Sequence, residues 1–271
     1  MFFPKGFIAV DTVFETLIVT LSPPFAYITL NRPEVKNAMN AQMVTDLIAI
    51  FEALRENRDV RAVVLSGAGG TFCAGGDIKE LAAALQGGEV DAMQDASTLD
   101  HLLRLVNEAP QVVIARVEGA AMGGGFGLVC VSDIAIASAD ARMGLPEVRL
   151  GLVPALISPY VIQRLGLTRA RELMLTGRRF DGAAAAAYGI VQEAVPSESL
   201  ETRINAILDD IRQCSPAALA ACKRLIFAVM DNPPDETLAY RANLLAELRR
   251  SEEGLEGMMA FAQKRRPKWA E

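Results

Sequence analysis

Three consecutive glycines, residues 123–125, interrupt two apolar runs, "VVIARVEGAAM" before them and "FGLVCV" after, and residues 121–130 carry no acid or base side chain other than the weakly acidic thiol of Cys130. Glycine weakens the interior of a helix or strand, so its place is where backbone turns sharply or must approach something closely. A strand that ends in such a turn and resumes as a helix fits an α/β fold better than a bundle or an antiparallel sandwich. The same arrangement recurs. "RAVVLSG" reads as a buried strand leading into a second glycine-rich loop, "GAGGTFCAGGD", with a helix expected from about Asp77, and "DIAIAS" reads as a third buried strand. Strand, turn and helix in repetition predict parallel pairing.

Upstream, "FETLIVTL" and "FAYITL" read as short strands separated by a turn at "SPP". "NAMNAQMVTDLIAIFEALREN" has apolar residues at helical spacing, with Asn40 as the expected N-cap. "ARMGLPEVRLGLVP" reads as an irregular stretch rich in turn residues. From about Glu201 the character changes: four amphipathic helix candidates follow one another with no strand between them. The division expected is a core over residues 1–200 and a helical region over 201–271. So much apolar surface on helices must pack against the chain's own core or a neighbouring subunit.

Composition removes several function classes. A net charge of −6 does not suit general binding to nucleic acid or an anionic membrane. No window approaches a membrane span, and the apolar opening "MFFPKGFIAV" is too short for a leader, so a cytoplasmic protein is expected. The four cysteines, Cys73, Cys130, Cys214 and Cys222, lack CxxC spacing and read as reduced. The single histidine, His101, follows "STLD" and reads as a partly exposed helix residue; no G-x-S-x-G accompanies it. No cluster has metal-ligand spacing, and neither glycine loop matches a dinucleotide or P-loop fingerprint. What remains is chemistry by backbone N–H groups and carboxylates. Two glycine turns can each present an unshielded N–H, one backed by a helix dipole, and two converging donors form an oxyanion hole. Plain tight packing would use the same glycines, and composition does not choose between the two.

"GTFCAGGDIKEL", "VEGAAMGGGFGLVCVSDIAIAS", "MGLPEVRLGLVP" and "EGMMAFAQKRRPKW" resemble the signature regions of the enoyl-CoA hydratase/isomerase (crotonase) superfamily, in the family's order. The likeness runs from "ITLNRPEVKNAMN" to the C-terminus. It implies a crotonase-like spiral of ββα units with a C-terminal helical trimerisation region, assembled as a homotrimer or dimer of trimers. It also implies an acyl-CoA thioester substrate, with coenzyme A as part of the substrate and no separate cofactor or metal. By motif match, the oxyanion hole is the N–H pair of Gly76 and Gly124, and Gly76, Asp77, Ile78 and Lys79 line the CoA path. Phe261 and Lys264 match residues that reach the CoA of a neighbouring subunit.

One departure stands out. Well-known hydratases of the family carry two glutamates; the second is present as Glu147 in "LPEVRLG", and the first is replaced by Gly127. Isomerases of the family typically use one carboxylate, and a hydratase could run on Glu147 alone, with the space at Gly127 admitting a branched acyl chain. A non-catalytic acyl-CoA binder is the third reading. "GGGFGLVCVSDIAIA" with "EVRLGLVPALISPYVIQRLG" resembles bacterial hydratases of 3-branched glutaconyl-CoA thioesters, with an isohexenyl or a methyl branch. The resemblance favours hydration and leans to the isohexenyl branch. Leu156, Ile157 and Pro159 are candidate walls of its pocket. Arg149 is a candidate for the distal carboxylate, or else for a structural ion pair.

Overall fold

The computed structural model describes residues 13–84 and 89–271. The apolar opening "MFFPKGFIAV" lies outside them. The strands are β1 (Leu17–Ser22), β2 (Phe25–Leu30), β3 (Ala62–Gly67), β4 (Val112–Val117), β5 (Ala120–Met122), β6 (Ile134–Ser138), β7 (Arg142–Gly144), β8 (Arg179–Phe180) and β9 (Glu193–Val195). The helices are α1 (Ala41–Arg55), α2 (Ile78–Ala84), α3 (Glu89–Asn107), α4 (Gly124–Val131), α5 (Ser158–Thr176), α6 (Gly182–Ala187), α7 (Leu200–Arg212), α8 (Pro216–Met230), α9 (Pro234–Arg250) and α10 (Glu252–Ala262). The first sheet has six strands in the order β1-β2-β3-β4-β6-β9; the second has three, β5-β7-β8. β1 and β2 form an antiparallel hairpin, and every later pairing in the larger sheet is parallel.

The apolar runs become strands buried on both faces, and their period of two sorts them. Val63 and Leu65 of β3, Val113, Ala115 and Val117 of β4, and Ala135 and Ala137 of β6 join one core with α1, α3, α4 and α5. Their alternates, Ala62, Val64, Ile114 and Ile136, join a second core with α7. α7 supplies Leu200, Ile204, Ile207, Leu208 and Ile211, a stripe at helical spacing. Its place on the sheet draws the start of the expected helical region into the body of the fold. The Asn40 cap forms as expected, its side chain accepting from Met43 N at 3.0 Å.

α8 is pinned to the sheet by a buried cation. Lys223 Nζ donates to Asp133 Oδ2 at 2.7 Å and to Gln111 O at 3.2 Å, and the same carboxylate oxygen accepts from Val113 N at 2.7 Å. Burial pushes the Lys223 ammonium down from its usual range, while Asp133 opposes that shift. Lys223→Met is expected to cost about 2 kcal/mol in urea unfolding, below a fully dry pair because Asp133 keeps 27% of its side chain exposed.

The end of the chain is tied to the start of β3. Arg61 donates to Arg212 O at 2.8 Å and to Trp269 O at 2.6 Å, and the Trp269 indole donates to Gln213 O at 3.0 Å. This fastens the segment after α10 at the N-terminal end of the parallel strands. Among the described residues no helix is long and apolar enough to cross a membrane.

Candidate active site

The site lies beyond the C-terminal ends of β3 and β4, where open parallel sheets hold their ligands. After β3 the chain passes beside β5: Cys73 N donates to Ala120 O at 2.8 Å, and Met122 N to Cys73 O at 3.0 Å. It then passes Met39, whose N donates to Gly75 O at 2.8 Å and whose O accepts from Asp77 N at 2.9 Å. Gly76 lies between those two bonds. It is exposed, and its N–H meets no acceptor among the described residues.

The three glycines of the second turn serve three needs. Gly123, the N-cap of α4, sits at φ 47°, a conformation that side chains resist, and a Cβ there would lie 2.9 Å from Glu147 Oε1. Gly124 is the first helical residue, so its N–H is one of the unpaired donors of a helix start. A Cβ on Gly124 would meet only Met39, at 3.8 Å or more. Gly125 packs so closely on Cys73 that a Cβ would come within 2.6 Å of both Cβ and backbone O. The two turns abut: the Cβ position of Gly123 is 3.9 Å from Gly75 Cα.

Glu147 arrives on a 3-10 turn, Pro146–Leu150, closed by Gly151 in the left-handed conformation. It is half-buried, and its Oε2 is buried with no hydrogen-bond partner among the described residues. Burial pushes its carboxyl above the usual range, opposed only by its own backbone N–H. A desolvated carboxylate beside two unpaired backbone donors is an arrangement for moving protons next to a carbonyl whose oxygen gains negative charge.

The other expected site residues fare differently. Asp77 is 8% exposed, and its carboxylate is committed to the fold. Oδ2 accepts from Arg32 Nη1 at 3.0 Å and Oδ1 from Lys79 N at 3.0 Å, so it holds the Gly76 turn and starts α2. The Arg32 guanidinium keeps it below the usual carboxylate range. Ile78 and Lys79 are exposed beside the Gly76 turn. The room expected at Gly127 is taken: a Cβ there would run into Cγ2 of Ile157 and lie 3.1 Å from its Cβ. Gly127 is buried and offers no wall to an acyl chain in this structure. Arg149 makes no ion pair among the described residues; its Nε donates to Thr176 O at 3.3 Å, at the last residue of α5. His101 is on α3, its Nε2 3.4 Å from Glu52 Oε1, with 42% of its side chain exposed.

Phe261, 87% exposed, and Lys264, also exposed, stand at the end of α10, whose following segment is fastened to the start of β3. The chain does not bring them to Glu147, which lies past the other end of that strand. Arg32 and Asn37 were not legible as site residues. Asn37 is fully buried, accepts from Arg32 N at 2.8 Å and donates to Ala68 O at 2.9 Å, bracing the Gly76 loop. The "NRP" and "KNAMN" strings offer polar residues inside an apolar region, the one signal available for them.

A family model described as enoyl-CoA hydratase/isomerase matches residues 23–271. The chain belongs to the enoyl-CoA hydratase/isomerase family. The crystal-structure relatives of this hydratase/isomerase include Pseudomonas aeruginosa AtuE, 46% identical with a TM-score of 0.93, covering 95% of this chain and 100% of that one. An enoyl-CoA hydratase/isomerase from Marinobacter aquaeolei is also 46% identical, with a TM-score of 0.91 and the same coverage. A Rhizobium meliloti protein named "Probable enoyl-CoA hydratase" is 36% identical over 255 residues, 93% of this chain and 97% of the relative. The expected crotonase-like α/β architecture is the fold of this enzyme, with its run of helices at the C-terminus.

Proposed function

We propose that the chain hydrates the 2,3 double bond of a 3-branched glutaconyl-CoA thioester, with the isohexenyl branch ahead of the methyl branch. The observation that carries the hydration reading is Glu147, a desolvated carboxyl with an unpartnered oxygen beside two free backbone donors. The thioester oxygen accepts from Gly76 N–H and Gly124 N–H, which polarises the conjugated double bond. Ionised Glu147 takes a proton from water as the water oxygen bonds to C3. The electron pair moves to C2 and the thioester oxygen, and the two N–H groups hold this enolate until Glu147 returns the proton to C2. The branched substrate is supported by the sequence likeness of the segments around Gly127 and Glu147, together with apolar Leu156, which is half-buried on the core. Gly127, whose Cβ position is filled by Ile157, contributes no space for the branch. Ile78 and Lys79, exposed beside Gly76, are placed along the CoA path.

We assign the exposed apolar residues of the last helices, among them Leu238, Leu245, Leu255 and Met258, to contacts in a homotrimer or dimer of trimers. In that assembly Phe261 and Lys264 serve the CoA of a neighbour. Their own site lies at the far end of the sheet.

A single carboxylate also serves double-bond isomerisation, so the assay must tell the two apart. With 3-methylglutaconyl-CoA and isohexenylglutaconyl-CoA in water, hydration removes the conjugated 2-enoyl absorbance and yields a 3-hydroxyacyl product. Double-bond migration without water uptake would replace this reading with isomerisation. Acyl-CoA binding with neither change would make the chain a binder.

A further inference from the structure

The two donors assigned to the thioester oxygen belong to loops far apart in sequence, and one short segment touches both. Past the turn Pro33–Val35, Lys36 and Asn37 stand at φ 55° and 54°, left-handed values that a lysine adopts only at a cost. They turn the chain so that residues 36–41 lie along residues 74–80. Ala74 N donates to Lys36 O at 3.0 Å, Met39 N to Gly75 O at 2.8 Å, Asp77 N to Met39 O at 2.9 Å, and Ala41 N to Glu80 Oε2 at 2.8 Å. Arg32 fastens the same stretch, since its Nη1 donates to Ala38 O at 2.6 Å as well as to Asp77 Oδ2. Met39 pairs in register with Gly76 and is 7% exposed. Its side chain crosses to the other loop, where Cε and Sδ lie 3.8 and 3.9 Å from the Cβ position of Gly124. Apart from Gly124's chain neighbours and its own helix, nothing else comes that near.

The geometry points to Met39 as a positioning residue for the oxyanion hole, the spacer between the Gly76 and Gly124 N–H groups. This rests on those two groups being the donors to the thioester oxygen. The backbone of Met39 is fixed against the first loop by two hydrogen bonds, so the origin of its side chain is fixed relative to Gly76. Burial then holds a side chain that would otherwise be flexible. Gly124 has no side chain with which to set its own distance, and the end of the methionine occupies that place. The two loops also meet where Gly75 faces Gly123 and where Gly125 packs on Cys73. Those contacts keep the loops together and let the fold survive a shorter residue at position 39. The contact made at Gly124 itself comes from Met39, and a displacement of about 1 Å is enough to spoil a catalytic contact.

The test reads the carbonyl of a bound thioester by difference infrared spectroscopy on the full-length protein. Butyryl-CoA, isotope-labelled at its carbonyl carbon, is saturated and so binds without being hydrated. Two aligned N–H donors should pull its C=O band to lower frequency in the parent. Met39→Ala is expected to lose about half or more of that shift, and to lower kcat by about 10–100-fold with KM within a few-fold. Met39→Leu keeps an atom near the Sδ position and should restore both. Met39→Val lacks both contacting atoms but keeps more of the buried bulk, and it serves if Met39→Ala does not fold. A merely structural residue would lower the urea midpoint and leave the carbonyl band where the parent has it. That result in a folded Met39→Ala or Met39→Val protein would overturn the proposal. A parent protein that binds the thioester without any shift would overturn the oxyanion-hole reading itself, and the role of Met39 with it.

Discussion

Glu147→Gln is expected to lower kcat by about 10²–10⁴-fold while acyl-CoA binding stays within a few-fold of the parent. The substitution keeps the shape of the side chain against Gly123 and removes only its ability to carry a proton. Stopped-flow turnover alongside calorimetric binding of an acyl-CoA checks both halves. The pH dependence has a fixed sign. With Glu147 as the proposed ionised base, the burial that raises its pKa should make kcat fall with decreasing pH through a midpoint above the ordinary glutamate range. The stability effect runs the other way. A carboxyl whose pKa is higher folded than unfolded contributes its stability below the unfolded value and loses it as pH rises through the folded one. Glu147→Gln should therefore raise Tm at neutral pH, and the difference should close as the pH drops toward the ordinary glutamate range. A variant that is inactive and also less stable at neutral pH would mean that the carboxylate is held for structure.

Gly124→Pro is expected to cost about 10²–10³-fold in kcat, the usual loss for one oxyanion donor. The first position of a helix accepts proline, because its N–H has no partner within the helix anyway. Here that unneeded donor is the one assigned to the thioester oxygen. Gly124→Ala is the paired control: a Cβ meets only Met39 at ordinary contact distance, the N–H remains, and kcat should stay within a few-fold of the parent. Circular dichroism on both variants separates lost chemistry from lost fold. Equal losses in the two would mean that the space at Gly124, rather than its N–H, is what the reaction needs.

The parts of the fold that could be read in advance are those whose signal is local and repeated. Apolar runs at "AVVL" and "VVIARV" become β3 and β4, and Asn40 caps α1 as its side chain dictates. The last four helices carry their period openly, α7 most of all. The strands β5, β7, β8 and β9 span two or three residues each, too few for any alternation to show. β7 falls inside the stretch expected to be irregular. They exist because backbone partners are brought to them, as Met122 N is to Cys73 O.

The site divides in the same way. Glu147 and the two glycine turns are legible because their chemistry belongs to residue types: a carboxylate transfers protons, and glycine leaves an N–H bare. What each neighbour does with them is decided by contacts across long separations. Asp77 is spoken for by Arg32, 45 residues earlier, and Gly127 is filled by Ile157 from the start of α5. The sequence by itself determined an α/β chain of this family with two glycine-rich turns and, after them, one glutamate, Glu147, in the place of a family carboxylate. Only the tertiary structure decided that the gap at Gly127 is packed, because whether a missing side chain leaves space depends on which other residue the fold puts there.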